Sequence, residues 1–137
     1  MSRTWTERKQ SCLASSGRGN VMAEFAVILV VVVLLIFGGV EMALMYHAQQ
    51  VLSQAAAQGA RFAAIYGGDS DAVRDRVRQQ LAAGGIHPDR TEIIVYVGNW
   101  QEPITVRVQM AWRPNIPLLP MPYYLIGAQH WARREAY

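Results

Sequence analysis

Phe25–Val40 reads FAVILVVVVLLIFGGV, a run without one charged or strongly polar side chain. As an α-helix it covers about 24 Å at 1.5 Å per residue, a little short of the roughly 30 Å hydrocarbon core of a bilayer. Val21–Ala23 before it and Met42–Met45 after it supply the missing length, with Glu24 and Glu41 near the two ends. So many valines and isoleucines would favour a strand in water. In lipid a lone strand leaves its backbone groups unsatisfied, so the run is read as a membrane helix. A buried strand of a soluble protein would be only about four to eight residues long, roughly half of this run. Gly38-Gly39 read either as membrane-tolerated glycines or as a soft point that permits close helix contact.

The charges sort by position. The chain has 13 basic and 10 acidic residues, a net charge of +3. Up to Gly19 the basic residues are Arg3, Arg8, Lys9 and Arg18 against Glu7 alone, so this stretch carries the whole excess, and the remainder balances nine arginines against nine acids. No basic stripe is left for phosphates, which argues against nucleic acid as a partner. With the positive charge ahead of the helix, the N-terminus is expected in the cytoplasm and the C-terminal part on the far side of an inner membrane. Cys12 is the only cysteine and lies in the basic leader, so no internal disulfide is available.

The leader ends in Gly19-Asn20-Val21-Met22-Ala23-Glu24-Phe25. A secretory signal would place its small-residue cut after the apolar core, not before it. Glycine, four residues, glutamate and an aromatic at the mouth of a hydrophobic helix resemble the cleavage site of prepilins, with the cut between Gly19 and Asn20. Glycine suits a cut because a protease can approach its backbone closely in an extended conformation. Glu24 is costly at the edge of an apolar helix, about 3 kcal/mol for a carboxylate at mid-bilayer, which marks it as functional unless it merely snorkels to the headgroups. Cutting after Gly19 would give Asn20 a positive amine one helical turn away, or on a neighbouring subunit, for Glu24 to pair with. Glu24 and Phe25 are therefore the candidate assembly and recognition residues.

Beyond the membrane the helix is expected to continue from Tyr46 to about Ile65, with Val51, Leu52, Ala55, Ala56, Gly59 and Phe62 on one shallow apolar stripe. Gly67-Gly68 would end it. Ser70 would cap a second helix over Asp71–Ala83, closed by Gly84-Gly85. Arg74, Arg76 and Arg78 on that helix are offset by Asp71 and Asp75, so they are read as a solvated face. The period then changes. Thr91–Val97 reads as a strand, Ile104–Trp112 alternates apolar and polar as a half-buried strand does, and a third strand is placed at about Gln129–Glu135. Between the last two, Pro114, Pro117, Pro120 and Pro122 exclude regular structure. The apolar connection Ile116–Ile126 (IPLLPMPYYLI) is expected to fold back over the sheet or to touch the membrane surface or another subunit.

Several stretches together resemble TadE-like proteins: Arg18–Phe25 with the valine-leucine run, Gly38–Glu41, Ala48–Ala56, Gly59–Ala64 and the ending Trp131–Glu135. The resemblance implies a pseudopilin or minor pilin of the tight-adherence (Tad, or Flp) pilus. Its partners would be a prepilin peptidase, other pilins and pseudopilins, the Tad inner-membrane assembly proteins and the bilayer. Major Flp pilins are much shorter and TadG-like proteins much longer, so length favours the TadE-like comparison. The expected organisation is a leader at 1–19, a transmembrane helix at 20–45 and a periplasmic domain at 46–137. The fold class is α+β, pilin-like: a long N-terminal helix, a second helix and a three-stranded antiparallel sheet. Two other functions stay open, an uncleaved single-pass membrane adaptor and a minor pseudopilin of type II secretion. The latter lacks its usual phenylalanine-threonine-leucine-isoleucine-glutamate start.

No catalytic residue, metal site or cofactor is expected. His47, His87 and His130 are scattered, and Gly67-Gly68 and Gly84-Gly85 lack the lysine or the strand of a phosphate loop. The chain is read as a substrate of processing and not as an enzyme.

Overall fold

The computed structural model describes residues 5–99, 102–116 and 119–134, and of residues 5–18 the backbone alone. In chain order the elements are helix α1 (Trp5–Tyr66), helix α2 (Asp71–Ala83), a 3-10 turn (Pro88–Arg90), and strands β1 (Thr91–Tyr96), β2 (Ile104–Trp112) and β3 (Tyr124–Ala132). The class is α+β, with one antiparallel sheet in the order β1-β2-β3. The chain divides into two compact units after Gly39.

In the first unit Val21, Phe25, Ile28, Leu35 and Ile36 all lie more than half exposed. Apolar side chains surround this part of α1, so it has no polar face to give to water. Gly19–Tyr66 is the one described stretch long and apolar enough to cross a membrane, and its most apolar window averages 2.9 in mean hydropathy.

The second unit is built on the later part of α1. Ala48, Val51, Leu52, Ala55, Ala56, Ala60 and Ala63 are buried, recurring at three- and four-residue steps as the stripe requires. Alanines dominate this face, so other elements approach the helix closely. Val73, Val77 and Leu81 of α2 and Ile104, Val106 and Val108 of β2 join them, all fully enclosed. Burial of the larger of these side chains stabilises the fold by about 1.5–3 kcal/mol each. The register sets Ile93 against Val108 and Val95 against Val106 in one ladder, and Ala128 against Val108 and Ile126 against Met110 in the other. One sheet face therefore meets both helices, while Glu92, Arg107, Gln109 and Gln129 stand on the other. There Gln109 donates to Glu92 at 2.6 Å, and Arg107 donates to Gln129 at 2.7 and 3.1 Å.

Gly59 marks the tightest junction. A β-carbon at this position would lie 2.5 Å from Val77 Cγ2 and 3.3 Å from Val106 Cγ1, closer than side chains tolerate. Glycine lets α1 touch α2 and β2 at one point. Gly67 ends α1 at a φ of 84°, in the left-handed region open to glycine, and the amides of Gly67 and Gly68 both donate to the Ala63 carbonyl at 3.0 Å.

Ser70 caps α2 with its backbone extended, its hydroxyl accepting from the Val73 amide at 3.4 Å. Because the bond is long, Ser70→Ala is expected to cost only about 0.5–1 kcal/mol. A shift of the denaturant midpoint of the full chain measures it. A loss above this range would mean that the hydroxyl does more than cap. Arg74 pairs with Asp69 (2.7 Å) and Arg78 with Asp75 (3.1 Å). Hydrogen bonds from Arg74 hold the Asp69 carboxyl below its ordinary range. The pair's stabilising effect is thus present at neutral pH and fades as acid protonates Asp69 through that lowered value. Solvent screening keeps it small.

Two expectations change. Strand β3 begins at Tyr124, five residues before the expected Gln129, and stops at Ala132. The proline constraint ends with Pro122, and the full nine-residue length of β2 then pairs with the chain, Trp112 opposite Tyr124. Among the described residues of the connection Ile116–Ile126, the large apolar side chains of Leu119, Tyr123, Tyr124 and Leu125 do not fold back over the sheet. They are exposed, and the connection ends in β3.

Candidate processing and assembly site

Gly19 and Asn20 lie within α1, where the backbone is helical and both residues are exposed. A protease that takes an extended segment must open this turn first. Gly19 is where opening costs least, because glycine in a helix interior is about 1 kcal/mol less stable than alanine. Asn20 and Glu24 stand four residues apart on one helix face, roughly 5–6 Å between β-carbons. That distance lets an amine on Asn20 reach the Glu24 carboxylate.

Phe25 is 62% exposed and Glu24 is exposed beside it. Among the described residues Glu24 has no hydrogen bond or ion pair. Between Asn20 and Ala60 the chain holds two carboxylates, Glu24 and Glu41, and no lysine or arginine. The two acids differ in how they are satisfied. Glu41 Oε1 accepts from the backbone amide of Asn115 at 3.0 Å. Glu24 is exposed.

The bond from Glu41 to Asn115 was not visible in the sequence, nor was one between Ser53 Oγ and His130 Nε2 at 3.0 Å. His130 sits opposite Val106 on the sheet face that meets α1, which carries the ring to Ser53. Its even spacing from the apolar Ile126 and Ala128 of β3 was the one signal that it faces inward.

A second concave place lies where α1, the 3-10 turn and the end of β2 meet. Glu41, Leu44, Arg90, Trp112, Arg113 and Tyr123 line a cavity of about 580 Å³ there. Arg113 stacks over the Tyr123 ring at 5.3 Å, and the buried Trp112 Nε1 has no acceptor among the described residues.

The model of the TadE-like protein family matches residues 19–61. Over that segment the chain is similar to TadE-like proteins, and the match begins at Gly19 and stays within α1. Comparisons with curated proteins and with solved structures give no match. The likeness is confined to α1, and the same helix is long and apolar enough to cross a membrane.

Proposed function

We propose that the chain is a pseudopilin or minor pilin of the Tad pilus, released from its basic leader by a prepilin peptidase that cuts between Gly19 and Asn20. The observation that carries this is the TadE-like match over residues 19–61, a segment that opens with Gly19, Glu24 and Phe25. Residues 20–45 anchor the protein in the inner membrane, with the leader in the cytoplasm and the domain from about residue 46 on the outer side. Glu24 pairs with the amine that the cut creates on Asn20, its own or a neighbour's, and so couples processing to assembly with other pilins. The chain does no chemistry itself.

The uncleaved membrane adaptor has one feature in its favour, the helix that runs unbroken through Gly19 and Asn20. The mature mass separates the two. Expressed with a prepilin peptidase, the protein is expected to begin at Asn20, and without the peptidase at its original start. An identical unprocessed N-terminus in both cells would overturn the pilin reading and leave the adaptor.

A further inference from the structure

The proline-rich connection between β2 and β3 stands at a particular end of the second unit. Glu41 and Leu44 of α1 meet the end of β2 and the connection at Trp112, Arg113 and Asn115, while Ala63 packs with Ile104 at the start of β2. Strand β2 thus runs opposite to α1. Its last residues and the connection lie beside Glu41, the residue that directly follows the apolar run Phe25–Val40.

The chemistry at this end is that of a bilayer interface. Tyr46, Leu119, Tyr123 and Tyr124 are 43–69% exposed, too apolar to be left to water without cause. Tyrosine and tryptophan favour the headgroup level, where the ring is buried and its polar end stays wet. Arg113 lies over Tyr123 and, with Arg90, lines the adjoining cavity, so two guanidinium groups stand where lipid phosphates would be.

We infer that the β2–β3 connection, through Leu119, Tyr123, Tyr124 and Arg113, is a second membrane contact that rests the domain on the phospholipid headgroups beside its own helix. The inference rests on the reading of the apolar run as a membrane helix. The Glu41–Asn115 bond holds the connection at that level, because it fixes the loop backbone to the first turn after the apolar run.

The test uses the full chain with Cys12→Ser, reconstituted in phosphatidylcholine vesicles containing phosphatidylglycerol. Single cysteines are introduced as Ile28→Cys, Leu119→Cys or Trp131→Cys and labelled with a polarity-sensitive fluorophore. Position 131 pairs with Thr105 near the far end of β2 and is the solvent reference. Quenching by lipids carrying a quencher at the headgroup is expected to be several-fold stronger at 119 than at 131, and Tyr123→Ser with Tyr124→Ser should reduce it at 119. Lipid quenching at 28 with equal, water-like behaviour at 119 and 131 would overturn the docking and leave the membrane helix intact. No lipid quenching at 28 would remove the membrane reading and the docking together. Quenching at 119 that depends on protein density in the vesicle would assign the surface to a second copy of the chain and overturn a lipid contact.

Discussion

Gly59→Leu is expected to destabilise the domain by about 3 kcal/mol, the upper part of the range for overpacking a filled core. Leucine is a better helix former than glycine, so α1 by itself would gain from the change. The loss comes from space. The first added carbon already meets Val77 and Val106, two β-branched side chains with little rotamer freedom and no exposure. A branched side chain must therefore push α2 or β2 away from α1. The midpoint of denaturant unfolding of the full chain in detergent measures the effect. The smaller change Gly59→Ala combined with Val77→Ala tests the cause, since removing the methyl that the new carbon meets should make the double variant less unstable than the two losses summed. Strict additivity would show that Gly59 is not a packing contact.

Gly19→Leu is expected to abolish processing, leaving the full-length chain in cells that hold a prepilin peptidase. A bulky residue raises the cost of bringing the backbone against a protease, and leucine also firms the helical turn that must open. Intact mass after membrane extraction measures it. A chain of wild-type mature mass would remove Gly19 from the cleavage site. Glu24→Ala is the contrasting change. On the proposed pairing with the Asn20 amine, it is expected to leave the cut and the domain's stability in place and to lower pilus number. Normal piliation with Glu24→Ala would leave that carboxylate without an assembly role.

Local signals made most of the fold legible. Gly67-Gly68, Ser70 and Gly84-Gly85 punctuate α2 because each acts within one turn of its own position. The alternation over Ile104–Trp112 gave β2 and its buried face, since period two has one geometric meaning once a face is covered. Strand β3 was harder to place. Tyr123 to Ile126 is uniformly apolar and follows a proline, so its pairing is decided by β2 and not by its own pattern. The same applies to Glu41 with Asn115 and Ser53 with His130, which lie 74 and 77 positions apart. Contacts at such separation follow from strand register, which no local periodicity encodes. At the candidate site the residues could be named from the sequence, while the helical state of Gly19 and the satisfied condition of Glu41 required coordinates.

The alanine-lined stretch of α1 is at once the continuation of the tether and the floor of the core. Within the second unit, the helix enters the core at Ala48. A pull entering at Glu41 acts on the helix that carries the core contacts. Resistance to such a load is governed by the rate at which the packed state comes apart. Under tension, that rate decides how long the domain keeps its shape.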